Sequence, residues 1–166
     1  MARAHGNRHP HVEDRLDHHR REWRVERAGW AVMALMLSAA MLGLFGYGPL
    51  SRVRTGANGL VVQYERLQRS SAPSELQVEA ASSLVRGASL RIRMDQALVD
   101  GMEIDSVVPE PVRVEAGAGY TAFVFAVAPG EGARVRFRYR PATFGRCAGL
   151  VAVAGTSVRV DQFIYP

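Results

Sequence analysis

Residues 29–50 read GWAVMALMLSAAMLGLFGYGPL and contain no charged side chain. Arg27 and Arg52 are the nearest charges on either side. No other feature of the chain restricts its folding so strongly. The hydrocarbon layer of a bilayer is about 30 Å thick, and a helix needs roughly 20 apolar residues to cross it. Residues 28–48 supply that length, and the Leu, Met and Ala that dominate its first half are good helix formers. Trp30 and Tyr47 stand near the two ends, where amphipathic rings favour the membrane interface. Pro49 has no backbone donor and biases Gly48 away from helical angles, so the helix stops there. A cleaved signal peptide has an apolar region of about 7–15 residues followed by a small-x-small site. The nearest such site here, Gly46-Tyr47-Gly48, is followed by Pro49 and would be cleaved poorly. The run is therefore read as a retained transmembrane helix over residues 28–48.

Residues 1–27 form a densely charged leader. All 21 basic residues of the chain are Arg, and the net charge is +5. Arg8, Arg15, Arg20, Arg21, Arg24 and Arg27 precede the apolar run closely; Arg52, Arg54, Arg66 and Arg69 follow it. The excess on the N-terminal side predicts an N-terminus in the cytoplasm of a bacterial inner membrane and a C-terminal domain outside. Residues 1–10 are polar enough to be disordered. Residues 12–27 are read as a helix that continues into the anchor, with Trp23 near the headgroups. His9, His11, His18 and His19 could supply imidazole ligands, but neighbouring helical residues point apart and the single Cys of the chain lies far away, so no metal site is expected. Ala39 and Gly43 have the small-x-x-x-small spacing that lets two membrane helices pack closely.

Beyond a Gly/Asn-containing linker, residues 49–59, the periodicity changes to two. LVVQYERL, SELQVEAA, ASLRIRMD, MEIDSVV, VRVEA, YTAFVFAV, ARVRFRYR, AGLVAVA and SVRVDQFIY each read as a strand. Turn signals separate several of them, and DQALVDGM reads as a short helical turn. Residues 60–166 are thus expected to form an antiparallel, immunoglobulin-like β-sandwich. The alternation places Val62, Tyr64, Leu76, Val78, Leu90, Ile92, Ile104, Val112, Val114, Phe123, Phe125, Val135, Phe137, Tyr139, Val151, Val153, Val158 and Val160 in its core.

The opposite faces carry the chemistry. Arg134, Arg136, Arg138 and Arg140 recur at every second residue, so one strand face holds four guanidiniums about 6.6 Å apart. Arg91 and Arg93 extend that patch if their strand is a neighbour. Such a face suits lipid phosphates, an acidic polymer or a partner's carboxylates; cross-strand carboxylates would instead neutralise it. Cys147 reads as a small buried hydrophobe. Glu103, Asp105 and Glu110 lack the Asp-rich loop of a calcium site. Residues 60–166 contain no His, no Gly-x-Ser-x-Gly and no phosphate-cradling Gly loop. No catalytic residue, cofactor or nucleic-acid partner is expected.

PATFGRCAGLVAVAG resembles a late-strand segment of bacterial extracytoplasmic immunoglobulin-like domains, with Pro141 and Gly145 at the linking positions. REWRVERAGW, the apolar run, GPLS, YERLQRSSAPSELQV, PATFGR and the terminal QFIYP together resemble an uncharacterised family of small bacterial single-pass membrane proteins. That resemblance implies the order leader, anchor, β-domain, and implies no activity. The expectation is a non-enzymatic accessory protein that binds a multispanning membrane partner through its helix and β-domain, with QFIYP as a docking edge or a last paired strand. The alternative is a module that binds an envelope polyanion or lipid headgroups through the arginine face.

Overall fold

The computed structural model describes residues 13–41 and 51–166. The chain divides into two compact units, Met1–Met41 and Leu42–Pro166. The first contains one helix, α1 (Glu13–Met41), which runs without a break from the charged leader into the apolar run, as read from the sequence. Among the described residues no helix is long and apolar enough to cross a membrane. The last seven positions of the expected span, residues 42–48, lie outside the described residues, as do residues 1–10 with their expected disorder.

The second unit is mainly β. Its strands are β1 (Arg52–Ala57), β2 (Leu60–Glu65), β3 (Leu67–Arg69), β4 (Ser74–Ala80), β5 (Ser89–Asp95), β6 (Met102–Val108), β7 (Arg113–Gly117), β8 (Tyr120–Ala126), β9 (Ala133–Pro141), β10 (Gly145–Val153) and β11 (Thr156–Tyr165). All nine strands expected from the alternation are present, and DQALVDGM contains the short helix α2 (Gln96–Asp100). The expected linker is corrected. Residues 52–57 pair with β2 from Arg52↔Glu65 to Ala57↔Leu60. Asn58 and Gly59, with φ of 44° and 85°, turn the chain between them. Two consecutive positive φ values are the signature of a tight type I′ hairpin, and Asn-Gly is the dipeptide that tolerates them best.

Five strands form one sheet in the order β1-β2-β4-β9-β6, and six form the other in the order β3-β11-β10-β5-β8-β7. Every pairing is antiparallel except β3 with β11, which is parallel. The terminal QFIYP is therefore no free edge: β11 lies between β10 and β3. The inward side chains of the two sheets share one core. Phe137 of β9 meets Phe123 and Phe125 of β8 edge to face, with ring centroids 5.1 and 6.4 Å apart. Leu60, Val62, Leu76, Val78, Leu90, Ile92, Val135, Val151 and Val160 are buried around them. Ile104 is partly buried and packs against this cluster. Val112 and Val114 depart from expectation, at 69% and 55% exposed. β7 is the outermost strand of its sheet, and alternation selects a face without guaranteeing that another sheet extends far enough to cover it.

Phe137 is 1% exposed. Its replacement by Ala should lower the unfolding free energy by about 3–5 kcal/mol, the usual cost of an aromatic cavity in a core. Urea titration followed by circular dichroism checks this; a midpoint within error of the parent would contradict the central position of β9.

Candidate interaction surfaces

The side chains facing away from the core on the five-stranded sheet alternate in charge across the strands. Antiparallel register sets Glu79 opposite Arg134, Glu75 opposite Arg138 and Glu103 opposite Arg140. Glu79 is the hub. Its carboxylate lies 3.1 Å from both Arg54 and Arg134, and accepts hydrogen bonds from Gln77 Nε2 at 2.9 Å and Gln63 Nε2 at 3.4 Å. Arg136 Nε lies 3.0 Å from Glu75, and Arg140 lies 3.6 Å from Asp105. The four arginines expected to share a face do so, but three of them are matched by carboxylates. These ion pairs are well solvated, and each contributes about 0–1 kcal/mol.

Arg91 and Arg93 do not extend the row. Their strand, β5, belongs to the six-stranded sheet, so they point to the other side of the molecule. There Arg91 and Arg113 share Glu115, both at 2.6 Å. The Arg93 guanidinium lies over the Tyr120 ring at 3.9 Å, a cation–π contact. Arg146 forms a forked pair with Asp161, through Nε at 2.9 Å and through Nη2. That pairing holds the Asp161 carboxyl below its ordinary range, with smaller help from Arg159 and Arg66.

An open cleft of about 320 Å³ lies over β1, β2 and β4, lined by Arg52, Val53, Arg54, Gln63, Tyr64, Glu65, Glu75 and Gln77. Burial raises the Glu65 carboxyl; Arg52 opposes the shift and Glu75 adds to it. Among the described residues no group of three or more His, Cys, Asp and Glu is placed to hold a metal ion. Glu103 and Asp105 face arginine instead. Cys147 is buried, its Sγ 3.8 Å from the Ala97 carbonyl, and burial raises its thiol.

In α1, Trp23 and Trp30 are 58% and 64% exposed, and the Arg27 guanidinium lies 4.1 Å from the Trp23 ring. Ala39 is partly exposed. Its spacing partner Gly43, Tyr47 of the expected interface, and His5, His9 and His11 lie outside the described residues. His18 and His19 fall in the part of α1 whose side chains are not described.

A buried polar cluster escapes detection by alternation. The Tyr139 hydroxyl, inside the core, accepts hydrogen bonds from Gln68 Nε2 at 2.6 Å and Gln162 Nε2 at 2.8 Å. Both amides also donate to the Glu65 carbonyl, at 3.1 and 3.4 Å. Each Gln occupies an inward position of a strand, Gln68 in β3 and Gln162 in β11, and that placement was the available signal. Burial pushes the Tyr139 phenol from its ordinary 10.0 up to about 12, although the two amide donors pull the other way. The chain matches no known protein family, and no curated protein matches it.

Two predictions follow from these contacts. Arg136→Ala should cost less than about 1 kcal/mol, because its ion pair is exposed; chemical denaturation beside Phe137→Ala provides the scale. For Tyr139 the folded-state pKa is raised, so its contribution is complete below 10 and is lost as the pH rises towards about 12. Thermal melts across that window should show the parent losing stability faster than Tyr139→Phe. At neutral pH that variant should start roughly 1–3 kcal/mol lower, since two buried amides lose their acceptor.

Proposed function

We propose that this chain is a non-enzymatic, membrane-anchored interaction protein. Its N-terminus lies in the cytoplasm of a bacterial cell and its β-unit on the outer side of the inner membrane, and it acts as an accessory subunit to a multispanning partner. One observation carries the reading. Trp30, Val32, Met33, Leu35, Met36, Leu37 and Met41 of α1 are all exposed. Successive helical residues are about 100° apart, so these side chains spread round most of the helix, and the sector they leave holds only the small, uncharged Ala31, Ala34 and Ser38. A helix that is apolar all round requires apolar surroundings, either lipid or neighbouring helices. The sequence continues uncharged from Met41 to Leu50, which extends the run to membrane-spanning length. The Trp23–Arg27 contact suits the headgroup layer, and the Ala39–Gly43 spacing suits a partner helix. The resemblance to small single-pass membrane proteins supports the same order of parts.

An immunoglobulin-like sandwich is the finer fold reading within this proposal. Two layers built almost wholly of antiparallel pairs support it; the parallel β3–β11 pair is a departure that it does not require. The arginine row on β9 lends little to the alternative of a polyanion-binding face, because Glu75, Glu79 and Asp105 already occupy its guanidiniums.

Affinity purification of the full chain from mild-detergent membranes tests the proposal, beside a version with residues 28–48 replaced by an unrelated anchor. The expected result is a stoichiometric multispanning protein that co-purifies with the native helix and is lost on the exchange. Absence of such a protein from both preparations would refute the accessory-subunit reading.

A further inference from the structure

Of the Arg residues that form no salt bridge with a described residue, Arg66, Arg69 and Arg159 lie on or next to β3 and β11, at the edge of the six-stranded sheet nearest Ser51; Arg52 and Arg138 belong to the other sheet, and Arg86 and Arg93 lie elsewhere. Ser51, 1% exposed, fixes that edge. Its hydroxyl donates to the Leu67 carbonyl at 3.0 Å, and its own carbonyl accepts the Arg66 N–H at 2.6 Å. Leu67 pairs with Phe163, and Phe163 in turn lies opposite Arg146. Phe144 immediately precedes Gly145, which pairs with Ile164. Phe144 and Phe163 are 68% and 51% exposed. Arg66 and Arg69 are exposed near them, and Arg159 is exposed four residues before Phe163 on the same face of β11; none of the three forms a salt bridge with a described residue. Arg146 occupies the Asp161 carboxylate on this face, which Arg159 and Arg66 also help to hold low, and Glu65 lines a small cavity with Arg69 and Tyr165.

We propose that this end of the β-unit, centred on Phe163 and Phe144 and ringed by Arg66, Arg69 and Arg159, docks onto the anionic headgroups of a lipid bilayer. The choice of occupant rests on the anchored reading above. Gly48 ends the expected membrane helix and Ser51 follows three residues later; three residues span at most about 11 Å. A surface that close to the bilayer meets headgroups before any other polyanion. The composition fits: guanidiniums bind lipid phosphates, each basic group near an anionic surface adds to binding, and aromatic rings favour the interfacial layer. This face differs from the β9 row, which lies on the opposite sheet.

The test uses the full chain with Phe163→Trp as a probe, in a background carrying Trp23→Phe and Trp30→Phe. The protein is reconstituted into lipid nanodiscs that are either wholly zwitterionic or about one-third anionic. The expected result is a blue-shifted emission, quenched by brominated acyl chains, in the anionic discs. It should weaken severalfold at roughly 0.5 M salt and be lost in Arg66→Glu/Arg159→Glu. Unquenched emission in both compositions would overturn the proposal. Equal quenching in both would overturn it too, since headgroup charge would then play no part. A response to soluble polyphosphate without one to anionic discs would replace the bilayer with an anionic polymer. A chain that fails to reconstitute would refute the anchored reading instead; vesicles of the same two compositions, added to that chain in solution, would still decide the docking.

Discussion

Two amide hydrogens on one phenol oxygen hold the sheets of the β-unit together where the chain passes from one to the other. Only Arg66 separates β2, in the five-stranded sheet, from β3, in the six-stranded sheet. A crossing that abrupt leaves backbone groups near the core without ladder partners, and unpaired buried groups are costly. The Gln68 and Gln162 amides solve both problems at once. They donate to the Glu65 carbonyl at the crossing and to the Tyr139 hydroxyl on β9. Apolar contacts alone would allow the sheets to slide by a residue or more; a directional polar contact between them does not. The cluster thereby fixes the relative placement of the two outer faces, and with it the separation of their arginines.

Period-two alternation was informative wherever the structure is decided locally. It located nine strands and most of the core, because one buried face is enough to impose that rhythm. It failed where the answer depends on a second element. Val112 and Val114 have the rhythm of core residues, but they lie just before and within β7, an outermost strand, and none of the described elements covers them. Arg91 and Arg134 have the same rhythm, and no local pattern reveals that their strands belong to different sheets. Gln68 and Gln162 were passed over because a polar side chain in an inward position reads as noise until its partner, Tyr139, is placed beside it. Residues 52–57 were missed for a different reason. Their Gly and Ala are weak strand formers, although Asn58-Gly59 was a strong hairpin signal directly after them.

The arginine-rich composition has two distinct physical outcomes. On the five-stranded sheet, β4 and β9 run antiparallel with Glu75, Gln77 and Glu79 facing Arg138, Arg136 and Arg134. Opposite charges on facing strands stabilise the pairing modestly, and like charges would oppose it. Arg134 and Arg136 are therefore accounted for within the sheet, while Arg138 forms no salt bridge with a described residue. The sequence separation between Glu79 and Arg134 hides this neutralisation, and four guanidiniums in a row look more available than they are.

The outward face of β11 in the six-stranded sheet lacks that arrangement. Arg159 faces Leu150, and Phe163 faces Arg146; a carboxylate at position 150 would have neutralised Arg159 as effectively as Glu79 does Arg134. Stability alone does not ask for a Phe in the outward position of β11, since burial of Ile164 next to it already commits the strand. The exposed rings and unmatched guanidiniums add little to the stability of the folded β-unit in water. They lie near Ser51, the first described residue of the β-unit. The same Ser51 hydrogen bonds that close the sheet crossing also hold that residue beside this cationic aromatic surface.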